Sequence, residues 1–400
     1  MLGGTKVKLP VRVGFLASAF AKWTGGTNYL RNLLIAIQSI DDLKIQPFLF
    51  INCSVDKGFV EMMKPYVTVI QFGGFFHHGW FVLVRGEEKH RWVKKQIFFH
   101  KIKRLNIQIM SHCDMYDDTF PFSTINWIPD FQHLHLPEMF SESACHSRSK
   151  KFKDVIIGSD AIVFSSQDAI CDANQLLPGY LDKFHKLSFV AVPENDSGSK
   201  GQLSQLEEKY GFKGKYFYLP NQFWKHKNHE VVFRAIKHLK DNKDDVLLLC
   251  TGAISDHRNE DHIATLKNYI EKHDLVENIL LLGLIPYDDV FVLFRSALAV
   301  INPSLFEGWS STVEEAKSLG KKLIISDLPV HKEQSPAGGI FFPRNDHCKL
   351  AEIMGFCWKS IETKLVVTLE KNAQMQLDGR VKEYGMNYQS IVLKVLAESH

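Results

Sequence analysis

Short apolar segments alternate with helical segments twice along this chain, and that alternation restricts the fold more than any other feature. In the first half, Val11–Leu16 is a predicted strand and 29–40 is a predicted helix with apolar residues at helical spacing. Strands that alternate with helices predict a mostly parallel sheet covered on both faces. Further strands of the first half are predicted at 46–52, 67–72, 107–111, 124–128, 161–165 and 187–192.

A polar segment divides the chain, and the alternation restarts after it. Residues 193–202 are rich in glycine, serine and charged side chains and show no strand pattern, which is typical of an interdomain linker. We therefore expect an α/β protein with Rossmann-like domains at 1–193 and 206–384, a linker at 194–205, and a ligand in the cleft between the domains. Strands of the second half are predicted at 215–219, 246–251, 279–282, 297–301 and 322–326.

Charge, cysteine usage and hydropathy exclude several other classes of protein. The net charge of +3 gives no global attraction to nucleic acid. The 7 cysteines are scattered without any C-x-x-C spacing, so neither a zinc ribbon nor a disulfide framework is predicted, and a reducing cytosol is the simplest location. The early apolar stretch at 11–20 is too short to span a bilayer, so we expect a cytoplasmic protein that is not integral to the membrane.

Two glutamates in an E-x7-E arrangement form the most informative motif. Glu307 follows an apolar predicted strand, and Glu315 lies near the start of a predicted helix that Gly320 would end. The backbone N–H groups of Ser311, Thr312 and Val313 would then point out of the helix N-terminus, which binds anions and above all phosphates. A carboxylate beside a phosphate site accepts hydrogen bonds from sugar or ribose hydroxyls, so the motif suits recognition of such hydroxyls next to a phosphate.

The segment 302–333 resembles the signature of the family 4 glycosyltransferases, and the resemblance continues through the run S-D-L-P-V-H-K-E at 326–333. It is strong over 219–333 and weaker in the first half. It implies the GT-B fold, with a helix at 385–400 crossing back to the first domain. It also implies a retaining transfer of a hexosyl or deoxyhexosyl unit from a nucleoside-diphosphate sugar to a glycan or lipid-linked acceptor, in cell-surface polysaccharide or glycolipid assembly, without a cofactor or metal.

The family also implies roles for individual residues of the second half. Glu307 would hold the hydroxyls of the donor sugar and Glu315 those of the ribose. Lys227 falls on the family's lysine that neutralises the donor diphosphate, whereas Gln222 stands where the family has arginine and brings no charge. The alternative for this segment is a solvated loop, rich in lysine and histidine, that caps the next helix.

In the first half the resemblance points to a glycine loop and to one polar segment. Gly25 and Gly26 correspond to the family's N-terminal glycine loop, where backbone amides approach the ligand. Asp130 matches the aspartate of a His-Asp pair, with proline in place of the histidine. His133, and also His135, follow closely enough to reach the sugar or acceptor, although loop histidines are more often structural.

Two charged clusters remain open to more than one interpretation. Asp114, Asp117 and Asp118 lie close together in the sequence. Aspartates in such a segment usually stabilise a turn, so no metal site is predicted. The basic segment 85–104 carries eight lysines and arginines interleaved with aromatic residues. It predicts peripheral contact with the inner face of the cytoplasmic membrane, or equally a domain helix with a solvated basic face; nucleic acid has no supporting motif.

Two other functions compete with glycosyl transfer. A sugar-nucleotide 2-epimerase on the same fold is the first, although the run at 326–333 argues against it. A sugar-nucleotide-binding protein without turnover is the second, because Gln222 and Pro129 depart from the family pattern.

Overall fold

A computed structural model describes residues 10–21, 23–71, 88–116, 120–193, 200–256, 259, 261–360 and 363–398. The chain divides into two compact units. The first unit is built from three pieces of chain, Met1–Asp130, His146–Ala191 and Asp378–His400. The second unit comprises Phe131–Cys145 and Val192–Leu377, so a short segment of the sequence's first half belongs to it.

The described strands of the first unit form one parallel sheet in the order β3-β2-β1-β4-β5-β6-β7. Strand β1 is central, with Val11 opposite Ile45 of β2 and Val13 opposite Ile109 of β4. The strand order reverses between β1 and β4, which is where α/β sheets bind ligands at their carboxyl ends. The strands are β1 (Val11–Leu16), β2 (Ile45–Ile51), β3 (Thr68–Gln71), β4 (Ile109–Ser111), β5 (Ser123–Trp127), β6 (Ala161–Phe164) and β7 (Phe184–Lys186).

Helices of this part of the chain cover the sheet with apolar faces. Helix α1 buries Tyr29, Leu30, Leu33, Leu34 and Ile37, the spacing of one helical face. The helices are α1 (Thr24–Gln38), α2 (Lys57–Met63), α3 (Glu88–Arg104), α4 (Gln132–His135), α5 (Glu142–Gly158) and α6 (Gln167–Leu176), of which α4 lies within the second unit.

The described strands of the second unit form a parallel sheet in the order β10-β9-β8-β11-β12-β13, which reverses between β8 and β11. Alternate residues of β8 enter different cores, because Phe217 and Leu219 pack in one hydrophobic cluster and Tyr218 in another. The strands are β8 (Phe217–Leu219), β9 (Leu248–Thr251), β10 (Ile279–Gly283), β11 (Ala299–Asn302), β12 (Leu323–Ser326) and β13 (Gly339–Phe342). The helices are α7 (Lys200–Tyr210), α8 (His229–Asp241), α9 (Asp261–Lys272), α10 (Tyr287–Ser296), α11 (Ser311–Leu319), α12 (Pro329–Gln334) and α13 (His347–Lys359).

One long helix, α14 (Thr363–Glu398), contributes to both units, with its residues from Asp378 belonging to the first. Gly385 of this helix packs directly on α1, since a Cβ there would overlap the carbonyl oxygen of Ala36. Tyr388 donates a hydrogen bond to Oγ of Ser111 at 2.8 Å. The hydroxyl of Ser111 lies 2.8 Å from Nδ1 of His112, and Nε2 of His112 lies 2.8 Å from the Tyr29 hydroxyl. The end of α14 is therefore tied to the carboxyl end of β4 by a buried polar chain.

Several sequence-based boundaries differ from the structure. The strand predicted at 187–192 is wrong, because β7 ends at Lys186. The N–H of Leu187 still donates to the carbonyl oxygen of Phe164 at 2.7 Å, and the apolar side chains that follow, including Phe189, are buried outside any strand. Strand β13 was not predicted. Gly25 and Gly26 lie in the first turn of α1 and not in a loop, and α7 begins at Lys200, inside the predicted linker.

Candidate functional site

The loops after β8 and β11 meet at the point where the strand order of the second unit reverses. A buried network of amides and hydroxyls joins them. Nδ2 of Asn221 donates to Oδ1 of Asn302 at 3.3 Å, and Nδ2 of Asn302 donates to Oγ of Ser310 at 2.6 Å. Thr312 returns to the first loop by donating to Oδ1 of Asn221 at 3.1 Å. Because each polar group has a buried partner, the network fixes the start of α11 relative to both strands.

At the start of α11, two backbone N–H groups have no acceptor among the described residues. Ser310 caps the helix, with Oγ accepting from the N–H of Val313 at 3.4 Å. The N–H groups of Ser311 and Thr312 precede the first intrahelical bond, which the N–H of Glu314 makes to Ser310. The predicted helix start therefore forms, with the N–H of Val313 bonded to the cap and those of Ser311 and Thr312 left as possible donors; anion binding there stays a prediction.

Glu307 and Lys227 meet directly. Nζ of Lys227 lies 2.6 Å from Oε1 of Glu307, and the hydroxyl of Ser304 donates to the same oxygen at 2.6 Å. The side chains are only 15% and 10% exposed, so this ion pair is largely shielded from solvent. Burial by itself raises the pKa of Glu307, but Lys227, His226 and His331 together hold it below the usual value. Glu307 is thus a buried carboxylate with a cation beside it.

Glu315 differs from Glu307 in its environment. It lies on α11, is only partly buried by surface area, and makes no hydrogen bond to any described residue. Burial nevertheless raises its pKa to about 7, against a smaller lowering by Lys227. An acceptor of this kind, poised between its two protonation states and without a protein donor, suits a ligand hydroxyl.

Gln222 is held by the protein on one side only. Its side-chain oxygen accepts from the N–H of Ala253 at 2.8 Å, and its amide nitrogen has no acceptor among the described residues. The amide can therefore donate to a ligand, while the positive charge of the family's arginine is absent. The role predicted for Gln222 stays a prediction.

His331 lies near the ion pair, although the sequence indicated it only as part of the run at 326–333 and gave it no role. It lies on α12, is fully buried, and its Nδ1 lies 2.8 Å from the carbonyl oxygen of Ser326. Its Nε2 has no hydrogen-bond partner within the described parts of the chain. Burial lowers its pKa, Glu307 raises it and Lys227 lowers it, which places the imidazole within electrostatic reach of the ion pair.

In the first unit, the two predicted glycines make room for an aromatic ring. A Cβ on Gly25 would lie 2.9 Å from Nε1 of Trp23, and a Cβ on Gly26 would lie 2.6 Å from its Cε3. The ring of Trp23 is stacked with that of Trp127, with centroids 5.8 Å apart. The indole therefore accounts for both glycines, and their proposed contact with a ligand stays a prediction.

The polar segment after β5 is divided between the units. Asp130 belongs to the first unit and accepts from Nη2 of Arg148 at 3.2 Å. His133 belongs to the second unit and is 1% exposed, so its ring does not face solvent in this conformation. His135 is exposed, and its ring centroid lies 4.9 Å from that of Phe306, the residue before Glu307. His135 is therefore placed beside the E-x7-E loop.

The remaining charged clusters lie partly outside the described residues. Asp114 pairs with Nζ of Lys151 at 2.6 Å, whereas Asp117 and Asp118 are not described. In the basic segment, residues 85–87 and the side chains of 88–95 are likewise not described. Its described turns show Phe98 and Ile102 buried in the core and Lys103 and Arg104 exposed, as expected for a domain helix with a basic outer face. No described helix has the length and hydropathy needed to cross a membrane.

Comparison with known proteins supports an assignment for the second half. Residues 205–373 match the glycosyl transferases group 1 family. The O-antigen chain mannosyltransferase RfbU of Salmonella typhimurium is 24% identical over 153 residues, which span 38% of this chain and 39% of that relative.

Solved structures resemble the whole chain at low sequence identity. A glycosyltransferase from Rickettsia africae matches with a TM-score of 0.67 at 17% identity, covering 97% of this chain and 98% of the other. Anabaena HepE, solved in complex with UDP and glucose, matches with a TM-score of 0.69 at 16% identity, covering 96% and 100%. These similarities confirm the predicted α/β fold of the GT-B type. The segment that matches the glycosyl transferases group 1 family, residues 205–373, contains Lys227, Glu307 and Glu315.

Proposed function

We propose that the protein is a retaining glycosyltransferase that moves a hexosyl or deoxyhexosyl unit from a nucleoside-diphosphate sugar to an acceptor hydroxyl. The observation that carries this proposal is the buried ion pair of Lys227 and Glu307 just before α11, the helix that carries Glu315, where the strand order reverses. Relatives support the substrate class: HepE was solved with UDP and glucose, and RfbU is named a mannosyltransferase of the O-antigen chain. A cell-surface polysaccharide or glycolipid acceptor fits the O-antigen chain in the name of RfbU.

Each group has a role that follows from its chemistry. Lys227 and the N–H groups of Ser311 and Thr312 would stabilise the charge that develops on the diphosphate as it leaves. Glu315 would accept hydrogen bonds from the ribose hydroxyls, and Glu307 from hydroxyls of the sugar. The ion pair keeps Glu307 ionised, so its oxygens are acceptors at neutral pH.

The direct test is a donor screen followed by an acceptor assay. We expect one class of UDP- or GDP-sugar to raise the unfolding temperature, because a ligand that binds only the folded state stabilises it. The same donor should be consumed faster in the presence of lipid-linked glycan acceptors, and the product should keep the anomeric configuration of the donor. Binding without consumption would favour the sugar-nucleotide-binding protein, and release of an epimerised sugar would favour the epimerase.

Replacing Glu315 with glutamine should stabilise the protein at pH 8 and weaken donor binding. In the fold the pKa is about 7, above the ordinary value of 4.5. The stability that this carboxyl contributes is therefore present below pH 4.5 and is lost as the pH rises through 7. Removing the charge should recover on the order of 1–3 kcal/mol at pH 8 and nothing at pH 4. Thermal unfolding at both pH values and donor titration measure the two effects; equal unfolding temperatures at pH 8 would contradict the argument.

Transfer should not require a divalent metal, because Lys227 and a helix N-terminus are available to the phosphates. We expect the initial rate to be unchanged after treatment with EDTA and after addition of Mg²⁺ or Mn²⁺. Activity lost with EDTA and restored by either ion would show a metal-dependent mechanism and direct attention to the aspartates at 114, 117 and 118.

The basic helix α3 should mediate peripheral contact with an anionic membrane, where each lysine contributes on the order of 1 kcal/mol. Changing Lys94, Lys95, Lys101 and Lys103 together to glutamine should reduce sedimentation with acidic liposomes, while donor hydrolysis persists. The wild-type interaction should also weaken with salt. Liposome binding that ignores both salt and the substitutions would leave a solvated helix face as the explanation.

A further inference from the structure

In the proposed function, on which this inference rests, Lys227 interacts both with Glu307 and with the donor diphosphate. In the structure its Nζ is bound to Glu307 at 2.6 Å. When the ammonium group binds a diphosphate, its charge is shared with the phosphates, and its ion pair with Glu307 weakens. Donor binding thus reduces the positive charge available to Glu307 from its nearest cation.

A buried carboxylate without a cation is unfavourable. Glu307 is 10% exposed, and removing one partner of a buried ion pair is strongly unfavourable because the remaining charge is uncompensated. The hydroxyl of Ser304 stays as a donor at 2.6 Å but carries no charge. The site therefore needs a second source of positive charge when Lys227 turns away.

His331 can supply that charge, because its Nε2 can accept a proton. Its Nδ1–H is fixed on the carbonyl oxygen of Ser326 at 2.8 Å, so the lone pair of the neutral ring lies on Nε2. Nε2 is buried and has no hydrogen-bond partner among the residues that the structure describes. The hydroxyl of Ser326 donates to the carbonyl of Ser304 at 2.7 Å, which holds the histidine's anchor against the loop that carries Glu307.

We propose that His331 becomes the countercharge of Glu307 when a donor is bound. As Lys227 turns to the diphosphate, Nε2 of His331 takes up one proton from the solvent. The resulting imidazolium then replaces Lys227 as the cation beside Glu307. No bond other than the new N–H is formed. His331 thereby acts as a positioning residue, since it keeps Glu307 ionised and oriented for the donor sugar.

The charged neighbours of both groups are consistent with this exchange. Burial lowers the pKa of His331, Glu307 raises it, and Lys227 lowers it, so the departure of Lys227 leaves Glu307 as the nearby charge that favours protonation. Glu307 faces Lys227, His226 and His331. Lys227 also acts on Glu315, whose own proton would be released when its carboxylate binds ribose.

The first test needs no donor. Lys227→Met removes the cation as donor binding would, and NMR of ¹⁵N-labelled imidazoles follows the titration of His331. We expect its pKa to rise by about one pH unit or more relative to the wild type, the effect of an unshielded neighbouring carboxylate. In the double variant Lys227→Met with Glu307→Gln the rise should disappear. An unchanged titration of His331 in Lys227→Met would overturn the proposal, because Glu307 would then have taken the proton itself.

The second test counts protons. Binding of UDP or GDP is measured by calorimetry at pH 7 in buffers of different ionisation enthalpy, for the wild type, His331→Asn and the control His262→Asn. Asparagine keeps a donor for Ser326 but cannot take a proton. His262 is a half-buried histidine of the same unit, whose charged neighbours are Asp256, Lys225 and Glu230.

We expect the wild type and His262→Asn to take up roughly half a proton more than His331→Asn. The proton released by Glu315 cancels in this difference, since all three proteins contain it. Equal proton counts for all three would overturn the role of His331. If neither nucleotide binds the wild type, the proposed function fails, and the NMR titration still decides the inference on its own.

Discussion

Replacing Glu307 with glutamine should reduce sugar transfer by about 100- to 1000-fold, the loss expected when one preorganised charged group is removed from a catalytic site. Glutamine keeps the size of the side chain and can still bind Ser304, but it removes the charge opposite Lys227. Donor consumption and product formation, measured on protein with an unchanged circular dichroism spectrum, give the result.

The matched control is Glu314→Gln, the other buried carboxylate of this region. Glu314 accepts from Nζ of Lys317 at 3.0 Å and from Nε2 of Gln334 at 3.1 Å, so its bonds hold α11 to α12 and do not involve Lys227. We expect transfer to survive in this variant. Wild-type turnover in Glu307→Gln would remove the central claim. Alanine at 307 is a poorer test, because it also leaves Lys227 buried without its partner.

Replacing Gly385 with alanine should lower the free energy of unfolding by about 1–3 kcal/mol, since a methyl group there would meet the carbonyl oxygen of Ala36 and force α14 away from α1. The hydrogen bond between Tyr388 and Ser111, one helical turn further on, would be strained by the same displacement. Urea unfolding followed by tryptophan fluorescence and circular dichroism measures the change.

The same helix offers a glycine with opposite surroundings. A Cβ on Gly379 would meet nothing within 4 Å, so alanine there gains helix propensity without any steric cost. We expect Gly379→Ala to raise the free energy of unfolding by about 0.5–1 kcal/mol. Equal effects at the two positions would show that α14 is not seated on α1 through Gly385.

The fold was predictable because it rests on local patterns. Apolar runs of strand length marked β1, β6 and β11, and the parallel sheets followed from the helices between them. The prediction of a strand at 187–192 was wrong because apolar spacing indicates burial and does not indicate strand pairing. Apolar side chains of this run are buried, but the strand β7 lies just before them. Strand pairing depends on a partner that is distant in sequence.

The site was predictable only where a motif carried it. Glu307, Glu315 and Lys227 were found from spacing and resemblance, whereas the ion pair between residues eighty positions apart was not, since nothing local requires it. In the sequence, Gly25 and Gly26 suggest a ligand loop, because a glycine pair after a strand leaves space beside the backbone. The sequence does not show that the indole of Trp23, and not a phosphate, occupies that space. The motif gives no role to His331, because the sequence does not show that its Nε2 lacks a hydrogen-bond partner among the described residues. Only the folded structure shows this.

The division of the first unit into three pieces of chain affects how the protein is made. Residues up to 191 emerge from the ribosome before any of 192–377, yet the turns of α14 that complete this unit are translated after them. At synthesis rates of about 5–20 residues per second, the nascent unit waits roughly 10–40 s for its last piece. During that time the surface of α1 around Ala36, which Gly385 later covers, is open to chaperones and to other nascent chains.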